Sequence, residues 1–419
     1  MNNTSYKNTE NTNKLRNKVI ITIIILFISR IGIFMPIPGI NNQELNENAI
    51  QNKLVNFLNI FSGGGFSTIG IFSLGIIPYI NSSIITQLLV KLIPRLEDIQ
   101  KNEGEIGKKK IQRITRYFAA IWAVIQSISI ALWVKPYTFN WNSYFIIDSV
   151  VILTTGSVII MWFSEIITEY GVGNGTSLII FQNIISNIPK SLNSYKINDN
   201  NNIRSTTLLV ILCLIVVMTN ILIQDSKRKI KIISTRQLGE TRTLQQQNYI
   251  PLKLNQGGVM PIVFASASMA IPQYILYNLG NTESSVYEIT QLLLKNNIIY
   301  LCIYSIFILV FSYFYSSIVL SPKDISENLQ KMGASIPNIR PGKDTMRYIS
   351  KTVDRLTFIG SVFLFFIAQL PFIASQTTQL NIFQGLGTTS MLILVGVAID
   401  TAKQVQTYII SEQYDNMME

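Results

Sequence analysis

The chain has 419 residues, of which 48% are hydrophobic, and its formal net charge at pH 7 is +11. Long apolar runs separated by polar loops are typical of a polytopic membrane protein and exceed what a soluble core requires. The absence of histidine excludes a Ser-His-Asp hydrolase, Cys-His catalysis and a histidine-ligated metal site.

Ten membrane-spanning helices are predicted, because a spanning helix needs about 20 mainly apolar residues. The polar, Asn-rich residues 1–18 are expected to be flexible. The apolar run after them lacks a small-residue cleavage pattern, so it is interpreted as an uncleaved first membrane helix. The predicted helices lie near residues 19–38, 69–91, 115–134, 144–166, 176–190, 206–224, 258–277, 298–320, 356–374 and 388–410.

Glycine and proline interrupt the stretch from 61 to 92, around which the other spans are expected to be organised. It begins with Phe61-Ser-Gly-Gly-Gly-Phe66 and carries Gly75 and Pro78 within its apolar run. Glycine permits unusual backbone angles, and proline removes a helix N–H. In lipid such backbone is tolerated only where protein or a water-filled cavity satisfies it. The stretch therefore predicts an interior path, with a short movable element at its glycine-rich start.

A second copy of this interruption indicates internal symmetry. Gly75-Ile-Ile-Pro78 in the second predicted helix matches Gly258-Val-Met-Pro261 in the seventh. A split near residue 200 makes each the second helix of a five-helix half, and because five is odd the halves have opposite orientations. Paired interruptions in inverted halves indicate a functional site at their interface. The predicted fold is an all-α polytopic membrane protein with two inverted halves, 19–200 and 201–411, around a central pore and a short tail, 412–419.

The basic residues predict the orientation. If both termini are cytosolic or stromal, that side receives 27 of the 34 Lys and Arg residues and the opposite loops receive six, while Arg30 lies in the first helix. This asymmetry obeys the positive-inside rule. Three basic loops result, 92–114, 225–257 and 321–355. Orientation alone explains the clusters at 108–110 and 227–229, and docking of ribosomal RNA or an acidic ATPase is the alternative.

The interrupted helices present apolar residues, Ile76, Ile80 and Val263, rather than acids or bases. This favours a passage with a hydrophobic constriction over a secondary transporter with inverted repeats, which remains the leading alternative. An intramembrane enzyme is a second alternative, disfavoured by the missing histidine. The glycine-rich segment 171–175 follows a helical pattern and not a strand, so a turn between membrane helices is expected there and not a nucleotide site.

Many separated motifs together resemble the SecY family, which supplies the central channel subunit of the Sec protein translocase. In chain order they are Arg30-Ile-Gly32, Pro36-Ile-Pro-Gly39, Phe61-Ser-Gly-Gly64, Leu74-Gly-Ile-Ile-Pro78-Tyr-Ile80, Gly107-Lys-Lys109, Thr115-Arg-Tyr117, Glu165-Ile-Ile-Thr-Glu169, Gly171-Val-Gly-Asn-Gly175, Gly258-Val-Met-Pro261, Asn328-Leu-Gln-Lys331, Ile339-Arg-Pro-Gly342, Asp354-Arg-Leu-Thr357 and Gln404-Val-Gln-Thr407. The resemblance covers most of the chain. It departs from the family in the 225–250 loop, which lacks a tyrosine-containing basic motif, and in the glycine-rich element, which lacks a following Ser-Arg.

The resemblance implies a set of site residues. The pore constriction would comprise Ile76, Ile80, Ile180, Ile184, Val263 and Ile393. The plug would comprise Phe61, Ser62, Gly63, Gly64, Gly65 and Phe66. The breaks in the pore helices would be Gly75, Pro78, Gly258 and Pro261. The surface that engages a motor or a ribosome would include Arg340, Lys108, Lys109, Lys110 and Arg347.

The resemblance also implies partners: a SecE-type small subunit, with a SecG-type subunit left open, a SecA ATPase or a ribosome, and unfolded preproteins. No cofactor, catalytic residue or sequence-specific nucleic acid is expected, and a passive channel takes its energy from the partner because the chain has no P-loop. Heavy use of isoleucine and asparagine indicates an AT-rich genome, as in many plastids. The thylakoid membrane is therefore the expected location, and a bacterial plasma membrane is the alternative.

Overall fold

The structure, a computed structural model, describes most of the chain. The described residues are 2–41, 44, 63–65, 69–139, 141–193, 200–234, 249–258, 261–262, 264–265, 268, 297–378 and 388–418. They fall into two compact units, one comprising Met1–Ile197 and Val397–Glu419 and the other Asn198–Gly396. The boundary between the units at Ile197 lies next to residue 200, the predicted split between the two halves. The last residues, Val397–Glu419, group with the first unit and not with the second.

The first unit is helical. Its helices are α1 (Asn2–Ile33), α2 (Ile77–Leu92), α3 (Pro94–Asn102), α4 (Gly104–Val134), α5 (Ser143–Tyr170) and α6 (Gly175–Asn193), with a 3-10 turn at Lys135–Tyr137. A stripe of small residues runs along the buried face of α4, formed by Thr115, Ala119, Ala123, Ser127 and Ala131.

Small residues let membrane helices approach closely, since the backbones meet without large side chains between them. On α2 the buried positions include Ser82 and Thr86. The Ser82 hydroxyl donates a hydrogen bond to the Thr115 carbonyl oxygen at 2.6 Å, so α2 packs directly against the small face of α4. The opposite face of α4 exposes Ile121, Ile125 and Leu132, as a lipid-facing surface requires.

The second unit contains helices and two small sheets. Its elements are α7 (Asn200–Asp225), β1 (Lys227–Lys231), β2 (Ile233–Ser234), β3 (Tyr249–Lys253), α8 (Asn297–Val319), α9 (Pro322–Lys331), β4 (Ala334–Ser335) and α10 (Lys343–Thr378), and α11 (Thr388–Met418) follows. One core cluster joins α7, α8 and α10 to residues Ile262 and Ala265 of the predicted seventh helix. The Ser316 and Thr357 hydroxyls hydrogen bond at 2.8 Å between α8 and α10.

The two basic loops of the second unit fold on each other. Strands β1 and β3 pair antiparallel, with Lys227 opposite Lys253, and β2 pairs antiparallel with β4. A separate hydrophobic cluster lies beneath them, formed by Ile230, Leu252, Leu329, Ile336, Ile349, Val353 and Leu356. We call this assembly of β1–β4, α9 and the first turns of α10 the loop subdomain.

Each of the ten predicted spans overlaps a helix in the described part of the chain, although α1 ends at Ile33 and residues 34–38 of the first span are not helical. Of the span 258–277, the described residues 261–262, 264–265 and 268 are helical and Gly258 is in a turn. Three helical stretches there are long and apolar enough to cross a membrane, Gly104–Tyr137, Ser143–Tyr170 and Leu301–Lys331. The polytopic, mainly helical architecture is thus as predicted. The exact count of ten and the inverted arrangement remain predictions.

The prediction of a helix over 69–91 is wrong for its first eight residues. Residues 69–76 form turns, and α2 begins only at Ile77. Gly75 has a φ of 55°, in the left-handed region that a right-handed helix does not use. Pro78 then lies in the first turn of α2, where a missing N–H costs nothing. The proline therefore starts the helix and does not kink it.

Two further expectations need correction. The loops 92–114 and 321–355 are largely helical, since they hold α3, the start of α4, α9 and the start of α10. The class all-α omits the two small sheets, whose strands lie in loops too polar to show a strand pattern. Helix α1 begins at Asn2, so residues 2–18 are helical, and their expected flexibility stays a prediction. Once an apolar segment has formed a helix, each added residue gains a hydrogen bond at little further cost.

Candidate functional site

The turn segment 69–76 is packed inside the first unit. Leu74 and Ile76 are 2% and 1% exposed, and Ile69 and Leu74 join a cluster with Ile37, Val134 and Leu153. Helix α2, with 16 residues, is about 24 Å long, which is less than the hydrocarbon thickness of about 30 Å. Because α2 alone is too short to cross, the turn segment that precedes it belongs at membrane depth.

The backbone of this segment is satisfied by protein, as an irregular segment in a membrane requires. The Ile37 N–H donates to the Ile69 carbonyl at 3.1 Å, and the Ile71 N–H donates to the Met35 carbonyl at 2.9 Å. The Pro-Ile-Pro segment after α1 therefore runs antiparallel beside it, with a bridge between Pro36 and Gly70. A Cβ atom on Gly70 would lie 2.0 Å from the Ile33 carbonyl oxygen, so only glycine fits there.

The two Gly-x-x-Pro motifs have the same local conformation. Gly75 and Gly258 have φ angles of 55° and 58°, and helix follows at Ile77 and at Pro261. A side chain donates to each glycine carbonyl: the Ser157 hydroxyl to Gly75 at 3.3 Å, and the Asn255 amide to Gly258 at 2.7 Å. Both motifs thus share a left-handed glycine, and their prolines, Pro78 and Pro261, both lie in helical backbone.

The glycine-rich element contacts α1. Of its six residues the structure describes Gly63, Gly64 and Gly65, all buried, and Phe61, Ser62 and Phe66 lie outside the described residues. The Arg30 guanidinium donates through Nη1 to the Gly63 carbonyl oxygen at 2.7 Å. Arg30 also lies over the Phe34 ring, 4.6 Å from its centroid. A charge in a membrane helix predicts a function, but its acceptor, a loop carbonyl 33 residues away, has no sequence signal.

The predicted constriction residues are apolar and mostly buried. Ile76, Ile180, Ile184 and Ile393 are buried, and Ile80 is half-buried. In the first unit Ile76 and Ile80 lie at the start of α2, and Ile180 and Ile184 lie one turn apart on α6. Ile393 lies on α11 within the second unit, and Val263 lies outside the described residues. The ring that these six residues would form remains a prediction.

Polar groups accompany the two isoleucines of α6. The Gln182 amide donates to the Leu26 carbonyl at 2.8 Å, and the Ser29 hydroxyl donates to Gln182 Oε1 at 3.1 Å. Asn183, on the next position, is 1% exposed. These contacts fix α6 against α1 on the same turn of α1 that carries Arg30.

The glycine-rich segment 171–175 is a turn, as predicted. The Thr22 hydroxyl accepts from the Val172 N–H at 3.0 Å and donates to the Lys18 carbonyl, so the turn is tied to α1. The Thr168 hydroxyl accepts from the Gly175 N–H at 3.0 Å. A Cβ on Gly175 would lie 1.9 Å from the Ser164 carbonyl oxygen, and this close approach explains the glycine.

Glu165, which is buried, pairs within the first unit with Arg116, whose side chain is 46% exposed. Arg116 Nε lies 2.7 Å from Glu165 Oε1, and the Gln112 amide donates to the same oxygen at 3.2 Å. The pair joins α4 to α5.

The predicted docking residues lie on rigid, exposed backbone. Lys108, Lys109 and Lys110 are exposed near the start of α4, and Lys110 pairs with Glu103 at 2.7 Å. Arg340 and Arg347 are exposed on the loop subdomain. The Thr345 hydroxyl donates to the Arg340 carbonyl at 2.8 Å.

The last carbonyl of this turn is also bonded, since the Ser326 hydroxyl donates to the Gly342 carbonyl at 2.8 Å. Gly342 itself has a φ of 100°. Helix α9 and the start of α10 thus both hold the Arg340-Pro-Gly342 turn in place, as a preformed contact surface would require.

Comparison with known proteins identifies the family. A SecY family model matches residues 70–402. The protein translocase subunit SecY of Porphyra purpurea is 55% identical over 405 residues, which cover 96% of this chain and 98% of the relative. That of Synechocystis is 46% identical over 416 residues and covers 96% and 94%.

Solved structures show the same fold. A SecY structure that concerns the plug domain, the closed state of the translocation channel and the membrane seal has a TM-score of 0.66 at 19% identity, over 95% of this chain and 93% of the other. Sec61 in the canine ribosome-channel complex has a TM-score of 0.62 at 19% identity, with the same coverage. The fold follows from these structures and the membership from the family model and the close relatives: this chain belongs to the SecY family.

Proposed function

We propose that the chain is the central subunit of a protein-conducting channel, which moves unfolded preproteins across a membrane and releases apolar segments sideways into lipid. It is a channel subunit and not an enzyme, in agreement with the names of its relatives. The observation that carries the proposal is the turn segment 69–76, which precedes α2, is mainly apolar and has its irregular backbone satisfied by protein. A secondary transporter would place ion or substrate ligands at this break, whereas Leu74, Ile76 and Ile80 offer none.

The proposed constriction is a ring of Ile76, Ile80, Ile180, Ile184, Val263 and Ile393. Branched aliphatic side chains close around an extended chain and deny ions a hydrated path, because a narrow apolar constriction dewets. The left-handed glycines support this site, since each turns the backbone sharply just before a proposed pore helix. The lateral gate would open between the second and third spans on one side and the seventh and eighth on the other.

The glycine-rich element, residues 61–66, is the proposed plug. Its described glycines are buried against α1, and the related SecY structure concerns a plug domain that stabilises a closed channel. The partners would include a small SecE-type subunit on the lipid-facing spans, with a SecG-type subunit left open. A SecA ATPase or a ribosome would dock on the Lys108–Lys110 cluster and on the loop subdomain around Arg340 and Arg347. The Sec61 relative in a ribosome complex supports the ribosome.

The location proposed is the thylakoid membrane of a plastid, with both termini in the stroma, and a bacterial plasma membrane is the alternative. The red-algal and cyanobacterial relatives support a plastid lineage. The Lys and Arg asymmetry supports the orientation.

Translocation into reconstituted vesicles tests the function. The chain, purified with its small subunits and inserted into lipid vesicles, is supplied with a preprotein and a SecA-type ATPase. We expect preprotein to become protected from external protease only when ATP is present, because the chain itself supplies no chemical energy. Equal protection without the ATPase, or none with it in vesicles shown to hold correctly assembled complex, contradicts the proposal.

A further inference from the structure

Arg30 places a positive charge against the proposed plug. The residue lies in the last turn of α1, is half-buried, and donates to the Gly63 carbonyl oxygen at 2.7 Å. Hydrogen bonds from an ionised donor are about twice as strong as neutral ones, and they strengthen where water is scarce. The Phe34 ring, 4.6 Å from the guanidinium, supports its orientation.

The surface on which the plug rests, which we call the seat, is formed by Arg30, Asn183 and Ser73. The plug residues that contact the seat have the conformation and close approach that favour glycine. Gly63 and Gly64 have φ angles of 69° and 90°, which side chains rarely adopt. A Cβ on Gly63 would lie 2.7 Å from both Arg30 Nη1 and Asn183 Oδ1, and one on Gly65 would lie 2.9 Å from Ser73 Cα. The three glycines therefore bring the plug backbone itself onto α1, α6 and the turn segment.

The seat is polar at membrane depth. Asn183 is 1% exposed and Ser73 is fully buried, and among the described residues the Ser73 hydroxyl oxygen has no hydrogen-bond partner. The Gly70 N–H donates to the Gly65 carbonyl at 3.3 Å, so the plug and the turn segment also share a backbone bond. An apolar plug on an apolar seat would need none of these groups, which indicates that polar contacts select the seated position.

We propose that Arg30 is the latch of the plug: its guanidinium holds the Gly63 carbonyl and so biases the channel toward the closed state. The inference rests on the proposed function, because it takes the glycine-rich element to be a plug. Displacement of the plug deprives the half-buried guanidinium of its acceptor, and water or the carbonyls of a passing chain must replace it. The latch is therefore released most easily when a preprotein is already in the channel.

The burial of Ser73 under Gly65 provides a direct reporter of plug position. In a background of Cys213→Ser and Cys302→Ser, the substitution Ser73→Cys introduces one thiol that the seated plug covers. The measurement is the rate at which a water-soluble maleimide labels this thiol in the vesicle-reconstituted complex. With Arg30 intact, labelling is expected to be slow.

The latch predicts how substitutions change this rate. Arg30→Met removes the donor but keeps an unbranched stem, and it should raise the rate about ten- to hundredfold, the equilibrium change expected for loss of one hydrogen bond to a charged group. Arg30→Lys keeps the charge without the planar fork and should restore slow labelling in part. Arg16→Met is the matched control, because Arg16 is an exposed arginine on the same helix, and it should leave the rate unchanged.

An unchanged labelling rate in Arg30→Met overturns the latch. If that variant does not assemble, Gly63→Ala decides, since its Cβ would meet Arg30 and Asn183: faster labelling supports the seat and an unchanged rate refutes it. The translocation assay in the same vesicles separates this proposal from the function. Faster labelling of the Arg30→Met complex, with no translocation by any variant, supports the latch and contradicts the proposed channel function. Normal translocation with an unchanged labelling rate supports the channel function and contradicts the latch.

Discussion

At the residue scale, the backbone conformation of two glycines defines where the proposed pore helices begin. Gly75 and Gly258 adopt nearly the same left-handed φ, and in each motif the proline three residues later lies in helical backbone. Because the motif ends an irregular segment at a fixed place, it sets which side chains follow at the level of the constriction. Ile76 and Ile80 follow Gly75 in this way, and Val263 follows Gly258.

A matched pair of glycine substitutions separates this role from general strain. Gly258 and Gly104 have φ angles of 58° and 56°, and an added Cβ meets nothing within 4 Å at either position. Alanine at either site should cost about 1–2 kcal/mol, since the left-handed region is unfavourable for L-residues. Thermal unfolding should therefore shift equally in Gly258→Ala and Gly104→Ala, while the rate of preprotein translocation falls only in Gly258→Ala.

Equal translocation in the two variants, with equal unfolding shifts, would show that the glycine before Pro261 serves the fold alone. A larger loss for Gly104→Ala would mean that the hairpin between α3 and α4 takes part in translocation. Either result contradicts the role assigned to the Gly-x-x-Pro motif.

At the element scale, the loop subdomain converts two basic loops into one rigid surface. Its core lies between β1, β3, α9 and α10, and Ile349 is 1% exposed at its centre. The Arg340-Pro-Gly342 turn is held by hydroxyl groups of both helices, Thr345 of α10 at the Arg340 carbonyl and Ser326 of α9 at the Gly342 carbonyl. A partner that docks here would meet a preformed surface, which lowers the entropic cost of binding.

Truncation of this core tests whether its rigidity supports docking. Ile349→Ala should destabilise the subdomain by about 2–5 kcal/mol, as for other buried isoleucines. Hydrogen exchange of the β1 and β3 amides should accelerate, and binding of ribosomes or of a SecA-type ATPase should weaken. Ile359→Ala, at a residue 44% exposed on the same helix, is the control and should change neither. Faster exchange with undiminished binding would place the docking surface elsewhere.

Hydropathy predicts the helices well and their ends poorly. An apolar run predicts a membrane span, and residues 69–76 are as apolar as the spanning helices. They nevertheless form turns, and the left-handed φ of Gly75 separates them from α2. Residues 104–114 are too polar to be predicted as part of a span, and yet they form the first turns of α4. The pairing of β2 with β4 joins residues 100 apart in the chain, and no local pattern predicts it.

The candidate site likewise has features that the sequence predicts and features that it does not. Apolar residues at the pore helices, the glycines and the charge of Arg30 are visible in the sequence, because composition and periodicity reveal them. The sequence does not reveal the hydrogen-bond acceptor of Arg30 or the buried Asn183 beside it. Both depend on how α1, α6 and the glycine-rich element pack together. Sequence therefore predicts which residue types a site contains, and tertiary packing decides which of them meet.

At the scale of the whole molecule, the proposed channel combines apolar spans that face lipid, a left-handed glycine before a pore helix in each half, a plug held by Arg30, and a basic surface for a partner. In this proposal the apolar constriction excludes ions, and the contact of Arg30 with the plug sets how often the constriction is uncovered. Energy and direction would come from the partner.

Crosslinking of a preprotein stalled in transit tests the central claim most directly. Single cysteines replace Ile80 and Val263 in a background of Cys213→Ser and Cys302→Ser, and Ile125→Cys, on the exposed face of α4, serves as the control. We predict that Ile80→Cys and Val263→Cys crosslink to the same short stretch of the stalled chain and that Ile125→Cys does not. Crosslinks at Ile125→Cys alone, in a complex that still translocates, would show that the preprotein does not pass between the two broken helices.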